Sequence, residues 1–195
     1  MEPVTTTPLE PVEIVATRHD ALADLVVTAA WTDHHDELYA FLVRTVRDPD
    51  VAEDLLAEAF SRLTREVRAG RTPEAVRAWL YRVCANLATS RGRRLAASFR
   101  GIVRIGALGA TRTDDPPGLN RPEASAIARE GHRELLAALD DLGHDARAAL
   151  LLSAEGFSGA EIAAAIGRSE AATRTLLCRT RLRVRSRLEP MEARS

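Results

Sequence analysis

Apolar positions recur with helical spacing along most of the chain. Between residues 21 and 46 they recur every three or four positions, as on one face of a helix. A second helical pattern follows a break at residues 48–50, where Pro49 suits a first helical turn. A third runs from Ala75 to about Arg94. The polar cluster at residues 32–36 interrupts the first helix or caps a new one.

The pattern changes between the third helix and residue 123. This stretch holds four glycines and two adjacent prolines and is too long for an ordinary internal loop. Helical spacing then returns, and leucines near residues 135–142 close a further helix. We therefore expect an all-α chain of two small helical domains, at 21–95 and 123–190. A flexible N-terminal extension at 1–20 and a flexible linker at 96–122 complete the plan.

The C-terminal domain carries the signals of a helix-turn-helix. Ser158 and Glu161 fit a capping box at a helix start, and Gly167 fits a left-handed helix end. Ser169 then caps a last helix. A short helix, a tight turn and a longer helix place the second helix in the DNA major groove in proteins of this type.

Charge on the last helix is strongly segregated. Seven arginines stand against one acid, Glu170, between residues 168 and 187. This local excess attracts phosphates, and arginine also reads guanine edges with two hydrogen bonds. A solvated terminal helix is the alternative to DNA binding. Thr173, Leu177, Thr180, Val184 and Leu188 share the face that we expect to pack.

The N-terminal domain has two faces of opposite character. Residues 33–63 hold eight acids and three arginines, which suits protein docking better than DNA. The next helix interleaves arginines with Trp79 and Tyr81, a composition that suits opened single strands. Core packing is the alternative role for Trp79, whereas Tyr81 and Asn86 are expected at the polar surface.

Composition narrows the class of protein further. The net charge is −1, and all 27 basic residues are arginine, so any nucleic-acid binding depends on local charge. No apolar run approaches the roughly 18 residues of a membrane span, and the acidic start is unlike a signal peptide. Two distant cysteines, Cys84 and Cys178, suggest free thiols in the cytoplasm. We find no phosphate loop, metal-spaced cluster or catalytic triad, and expect no cofactor, metal or enzymatic activity.

Six short strings resemble one known family. Residues 54–60 (DLLAEAF), 78–83 (AWLYRV) and 86–87 (NL) resemble region 2 of the extracytoplasmic-function sigma factors of bacterial RNA polymerase. Residues 156–158 (GFS), with 161–163 (EIA) and 167–169 (GRS), resemble their region 4. The resemblance spans residues 21–188 in the right order.

The resemblance implies a function and three sets of site residues. The protein would bind core polymerase and promoter DNA without inserting into a membrane, and an anti-sigma factor is a further partner that the family allows. The clamp helices of the largest polymerase subunit would receive Asp54, Leu55, Glu58 and Phe60, and the polymerase flap would be a further contact. The −10 element would be engaged by the loop 67–72 and by Arg71, Arg77, Tyr81, Asn86, Ser90 and Arg91. The −35 element would be read by Ser169, Glu170, Arg174, Thr175, Cys178 and Arg179.

Two other functions remain open from the sequence alone. A helix-turn-helix regulator would use its N-terminal bundle to dimerise or to sense a ligand. A degenerate sigma-like protein would only occupy polymerase or an anti-sigma factor. The acidic segment followed by a basic, aromatic helix favours the sigma factor, because a dimerisation bundle needs no such polarity.

Overall fold

The chain folds into helices throughout the part that the structure describes. A computed structural model describes residues 11–102, 137–139 and 141–192, with side chains at 20–98, 137–139 and 141–188. The helices are α1 (Pro11–Val46), α2 (Pro49–Arg68), α3 (Val76–Ile102), α4 (His144–Ala154), α5 (Gly159–Ile166) and α6 (Glu170–Glu192). The all-α prediction is confirmed. In these residues no helix is both long enough and apolar enough to cross a bilayer.

The N-terminal module consists of α1, α2 and α3 around one core. Leu38, Leu42, Leu63 and Leu80 are all completely buried there. The expected break before α2 is present: Asp48 is the N-cap, and its side chain accepts a hydrogen bond from the amide of Val51 at 3.1 Å. This cap satisfies an amide that the first helical turn leaves without a backbone partner.

Two helices are longer than the pattern predicted. Helix α1 begins at Pro11 instead of residue 21, and it passes through residues 32–36 without interruption. The polar cluster is accommodated on the helix surface, where His34 pairs with Glu37 at 2.9 Å. Helix α3 continues to Ile102 instead of Arg94, so the first residues of the expected linker are helical. The rest of the linker and residues 1–10 lie outside the described residues.

The C-terminal module consists of α4, α5 and α6, preceded by residues 137–139, which are also helical. The capping box at Ser158 and Glu161 is present, and Gly167 ends α5 in the left-handed conformation, with φ 63° and ψ 46°. Ser169 accepts from the amide of Ala172 at 3.3 Å, as expected of its cap position. The short helix, turn and longer helix are therefore confirmed. Most of the helix expected from residue 123 lies outside the described residues.

The two modules pack against each other through reciprocal arginine caps. Arg147 of α4 donates to the carbonyl of Thr45 in the last turn of α1, at 2.8 Å. Arg93 of α3 donates to the carbonyl of Ile166 at the end of α5. Each cation therefore meets the negative end of a helix dipole in the other module, an arrangement that stabilises both helix ends.

Candidate polymerase and DNA interfaces

An acidic face opens on the N-terminal module at the start of α2. Asp50, Glu53 and Asp54 are all exposed there and define this acidic face. Tyr39 of α1 lies close to it: burial and the negative charges of Glu53 and Asp50 raise the pKa of the Tyr39 hydroxyl. Exposed carboxylates beside an aromatic side chain suit a basic protein partner better than a nucleic acid.

Trp31, His35 and Tyr39 form an aromatic ladder along one side of α1, which ends at Tyr39 beside the acidic face. The ring of Trp31 lies 4.5 Å from that of His35, which stacks 6.3 Å from that of Tyr39. Trp31 keeps 45% of its surface exposed although it also packs 4.8 Å from Phe60. A half-exposed tryptophan is a common anchor in protein interfaces. This ladder is absent from the sequence-based predictions, although the spacing of four residues places its members on one face of a helix.

The four residues expected to dock on polymerase divide between surface and core. Asp54 is exposed, and Glu58 is half-buried in ion pairs with Arg62 at 2.7 Å and Arg65 at 3.5 Å. The hydrogen bond from Arg62 lowers the pKa of the Glu58 carboxyl, so that Glu58 stays ionised. Leu55 and Phe60 are buried, and they support the surface from below.

Arg77 and Tyr81 of α3 lie together at the boundary between the modules. Arg77 donates to both carboxylate oxygens of Glu37, at 3.0–3.2 Å, and to Glu155 of the C-terminal module at 2.9 Å. Its guanidinium also lies 4.8 Å from the centre of the Tyr81 ring. These acidic partners raise the pKa of Arg77 further above its ordinary value.

Tyr81 is buried, contrary to the expectation of a polar-surface position. Only 1% of its surface is exposed. Its ring lies 5.2 Å from Phe41 and 5.4 Å from Phe157, which belongs to the C-terminal module. Burial and the nearby carboxylates of Glu155 and Glu37 raise the pKa of its hydroxyl. The expectation failed because the sequence does not show that the second module covers this side of α3.

The other residues expected at the −10 element are more accessible. Asn86 is exposed, whereas Ser90 and Arg91 are half-buried on α3. Arg71, in the loop before α3, makes a two-point ion pair with Glu66 at 2.8 and 3.1 Å. Trp79 is partly buried against the core and also lines a cavity of about 530 Å³ between the modules. Trp79 therefore lies at the edge of the core, and both roles considered for it, core packing and contact with an opened strand, stay predictions.

The residues expected at the −35 element form an exposed face of α6. All six are exposed, and Ser169 also caps the helix start; the other five are Glu170, Arg174, Thr175, Cys178 and Arg179. Thr173, Leu177 and Thr180 are buried on the opposite side, as the spacing predicted, while Val184 and Leu188 are half-buried. The structure thus separates a packed side of the helix from a charged one.

Two arginines of α6 bind other side chains of the C-terminal module. Arg181 donates to the hydroxyl of Ser153 in α4 at 2.7 Å, and Arg187 pairs with Asp141. The exposed Arg174 and Arg179 are the stronger candidates for DNA contacts, because neither forms an ion pair with another of the residues that the structure describes. Cys178 is exposed between them, whereas Cys84 is buried in α3.

Arg147 is a buried charge that the sequence analysis did not identify. It is 5% exposed and donates to the carbonyls of Leu139 at 3.0 Å, Leu142 at 2.9 Å and Thr45 at 2.8 Å. Burial lowers its pKa to about 10, which leaves it charged at neutral pH. No sequence motif marks it, since its partners are backbone atoms. Within the described residues, no group of three or more His, Cys, Asp or Glu could hold a metal ion.

Comparisons with known proteins point to one family. A model of sigma-70 region 2 matches residues 30–97, and a model of sigma-70 region 4 matches residues 132–184. The first match covers the acidic face, the ladder and most of α3, and the second covers the helix-turn-helix. The order and the placement agree with the two modules described above.

Two curated relatives and one solved structure agree with these matches. The chain is 32% identical over 174 residues to the ECF RNA polymerase sigma factor SigE of Mycolicibacterium smegmatis, covering 87% of this chain and 65% of that protein. It is 29% identical over 146 residues to the ECF RNA polymerase sigma factor SigX of Bacillus subtilis, covering 73% of each.

The fold resembles that of the sigma factor RpoE, solved with the anti-sigma factor NepR from Bartonella quintana. That match has a TM-score of 0.59 and 20% identity, and it covers 83% of this chain and 96% of that one. Together, the two region matches and these relatives show that the chain belongs to the extracytoplasmic-function (ECF) sigma factors of the sigma-70 family.

Proposed function

We propose that the chain is a sigma factor that directs core RNA polymerase to promoters. One observation carries the proposal: a single chain joins an acidic, aromatic protein-docking face to an exposed, arginine-rich recognition helix. A factor that guides a large enzyme to DNA needs both surfaces. A simple regulator needs only the second. The work would take place in the cytoplasm, with polymerase and promoter as partners.

The acidic face and the aromatic ladder would bind the clamp helices of the largest polymerase subunit. Asp54 lies at the surface of this region, and Glu58 borders it. Carboxylates steer a basic partner during the encounter, while Trp31 supplies apolar contact area. Leu55 and Phe60 would contribute indirectly, by holding α2 in place from the core.

The exposed side of α6 would read the −35 element in duplex form. Arg174 and Arg179 can each reach phosphates or guanine edges in a major groove about 12 Å wide. Contact with the flap would hold this module on polymerase. The Bartonella relative was solved with an anti-sigma factor, and we extend that class of partner to this chain as part of the proposal.

Residues of α3 would engage the −10 element and its non-template strand. Arg71, Arg77, Asn86, Ser90 and Arg91 offer charge and hydrogen-bond donors on α3 and in the loop before it. Tyr81 would stack on an unpaired base, since stacking contributes about 1–3 kcal/mol per base. Such stacking requires the Tyr81 ring to leave Phe157.

Run-off transcription with purified core polymerase tests the proposal. Core enzyme with the chain should begin transcripts at discrete, reproducible sites on genomic fragments, and core enzyme alone should not. Failure to co-elute with core would favour the regulator. Co-elution without discrete start sites would favour the degenerate sigma-like protein.

A further inference from the structure

The turn between α5 and α6 is tied by a side chain to a third helix of the same module. Arg168 directly follows Gly167, whose left-handed conformation ends α5. The guanidinium of Arg168 donates from Nε at 2.9 Å and from Nη2 at 2.7 Å to Oδ2 of Asp145, in the first turn of α4. Asp145 therefore holds the residue that joins the short helix to the longer one.

The carboxylate of Asp145 is better shielded than that of an ordinary surface acid. Exposed ion pairs contribute little to stability, because water and salt screen them, but the side chain of Asp145 is only 14% exposed. The same Oδ2 atom also accepts a hydrogen bond from Arg93 of α3 at 3.2 Å. The positive end of the α4 dipole favours a carboxylate at this position. The anchor for Arg168 thus has a defined geometry.

Helix α6 is tied to the same region of the module at two further points. Arg181 donates to the hydroxyl of Ser153, near the end of α4, at 2.7 Å. Arg187 pairs with Asp141, just before α4 begins. We call these two contacts and the pair of Arg168 with Asp145 the three side-chain ties. They hold α6 at its start and again further along its length.

The arginines proposed to read DNA lie between these ties in sequence. Arg174 and Arg179 are exposed on one side of α6, while Thr173 and Leu177 are buried on the other. Apolar burial is non-directional, so it holds a helix against a core without fixing its rotation. Hydrogen bonds depend on distance and angle. The ties therefore add the directional contacts that set how the reading arginines meet a groove.

We propose that Asp145 is a positioning residue for base reading: through Arg168, it fixes the angle at which α6 enters the major groove. The proposal rests on the proposed function, because it takes α6 as the helix that reads the −35 element. A tilted helix keeps its positive charge and its attraction for phosphates. It loses the two-point hydrogen bonds to base edges, which carry the sequence information. Loss of Asp145 should therefore lower selectivity and not affinity.

The test measures sequence selectivity of the full chain after Asp145→Ala. The probe is a labelled duplex that the wild-type chain enriches from a randomised pool, and the competitors carry single base-pair changes. Discrimination against the changed duplexes should fall about fivefold. Affinity for an unrelated duplex should stay equal or increase, because a negative charge is lost. Since unfolded chains drop out of both sides of a competition, the ratio does not depend on the folded fraction.

A second variant tests whether Asp145 acts through Arg168. Arg168→Gln removes the other half of the pair and should reduce discrimination in the same way. Adding Asp145→Ala to Arg168→Gln should then cause no further loss, as expected of two residues that act as one unit. Glu155→Gln is the matched control, because it removes a carboxylate of the same module whose partner is Arg77 of α3. It should keep wild-type discrimination.

Two results would overturn the proposal alone. One is unchanged discrimination by Asp145→Ala. The other is a full additional loss when Asp145→Ala is combined with Arg168→Gln, since Asp145 would then act by another route. A wild-type chain that enriches no duplex would overturn the proposal together with the assignment of α6 to the −35 element. A wild-type chain that selects a duplex but starts no transcripts with core polymerase would overturn the proposed function and leave the role of Asp145 supported.

Discussion

Arg147 keeps its positive charge at 5% exposure by donating to three carbonyl groups from two modules. A buried cation is costly unless hydrogen bonds replace its lost water, and here they do. The helix end at Thr45 adds a favourable dipole. Side chains of this kind decide how neighbouring elements meet, yet nothing in their sequence context separates them from surface arginines.

Arg147→Met should lower the free energy of unfolding by about 1–3 kcal/mol, because three buried carbonyls lose their charged donor. Urea denaturation followed by circular dichroism measures the change. Arg44→Met, on a half-buried arginine of α1, is the control and should cost less. Equal losses for the two variants would contradict a special role for Arg147.

The environment of His144 predicts a pH-dependent stability. Burial and the charge of Arg147 lower the pKa of His144 below its ordinary 6.5, against the opposing effect of Asp145. Below pH 6.5 the unfolded chain therefore binds more protons than the folded chain. Stability from this group is complete above pH 6.5 and declines as the pH falls towards the lowered pKa.

Urea midpoints between pH 7.5 and about 5.5 test this expectation, in a range above most carboxylate titrations. The urea midpoint of the wild type should decrease as the pH is lowered, and the midpoint of His144→Gln should depend less on pH. A wild-type midpoint that rises as the pH falls would show that the sign is wrong.

Helix ends show which features of the elements are predictable from sequence. The helix start at Pro49, the Ser158 capping box and the turn at Gly167 were all predicted, because each depends on neighbours within a few residues. The long reach of α1 and α3 was not predicted. Those lengths depend on pairings along the helix surface and on packing partners that local rules do not contain.

In the candidate sites, too, features that depend on local sequence were predictable and features that depend on distant residues were not. The exposed face of α6 follows from helical spacing and charge alone, so the assignment of Arg174 and Cys178 to one side was possible. The burial of Tyr81 depends on Phe41 and Phe157, which lie far from it in sequence. Only a three-dimensional arrangement could reveal that contact.

Arg174→Ala should weaken binding to a promoter duplex by about 1–3 kcal/mol and relax selectivity at one position, if Arg174 pairs with guanine. Arg183→Ala removes the same charge further along the exposed surface of α6 and should weaken binding without changing selectivity. Competition between duplexes with single base-pair changes measures both effects. A uniform loss for Arg174→Ala would make it a phosphate contact.

The whole molecule keeps a net charge of −1 while separating its charges in space. Exposed acids gather at the start of α2, and arginines gather on α6. The near-zero net charge of the whole chain therefore does not reveal that two of its surfaces carry charges of opposite sign. This separation lets one chain bind a protein and a polyanion at different places.

Asp54→Arg should weaken binding to core polymerase about tenfold and make the remaining binding less sensitive to salt, because it reverses a charge that steers the encounter. Asp33→Arg is the matched control. Asp33 is exposed but lies two positions from Trp31, and so on the opposite side of α1. Titration of labelled core enzyme measures both, and equal losses would contradict docking at the acidic face.

The contrast between the two cysteines has a practical consequence. Cys84 is completely buried, and burial raises the pKa of its thiol to about 12, whereas Cys178 is exposed on α6. A maleimide dye at neutral pH should therefore attach at Cys178 and leave Cys84 intact while the protein is folded. The sequence thus provides a single attachment point for a fluorophore beside Arg174 and Arg179, and slow labelling of the second thiol would report unfolding.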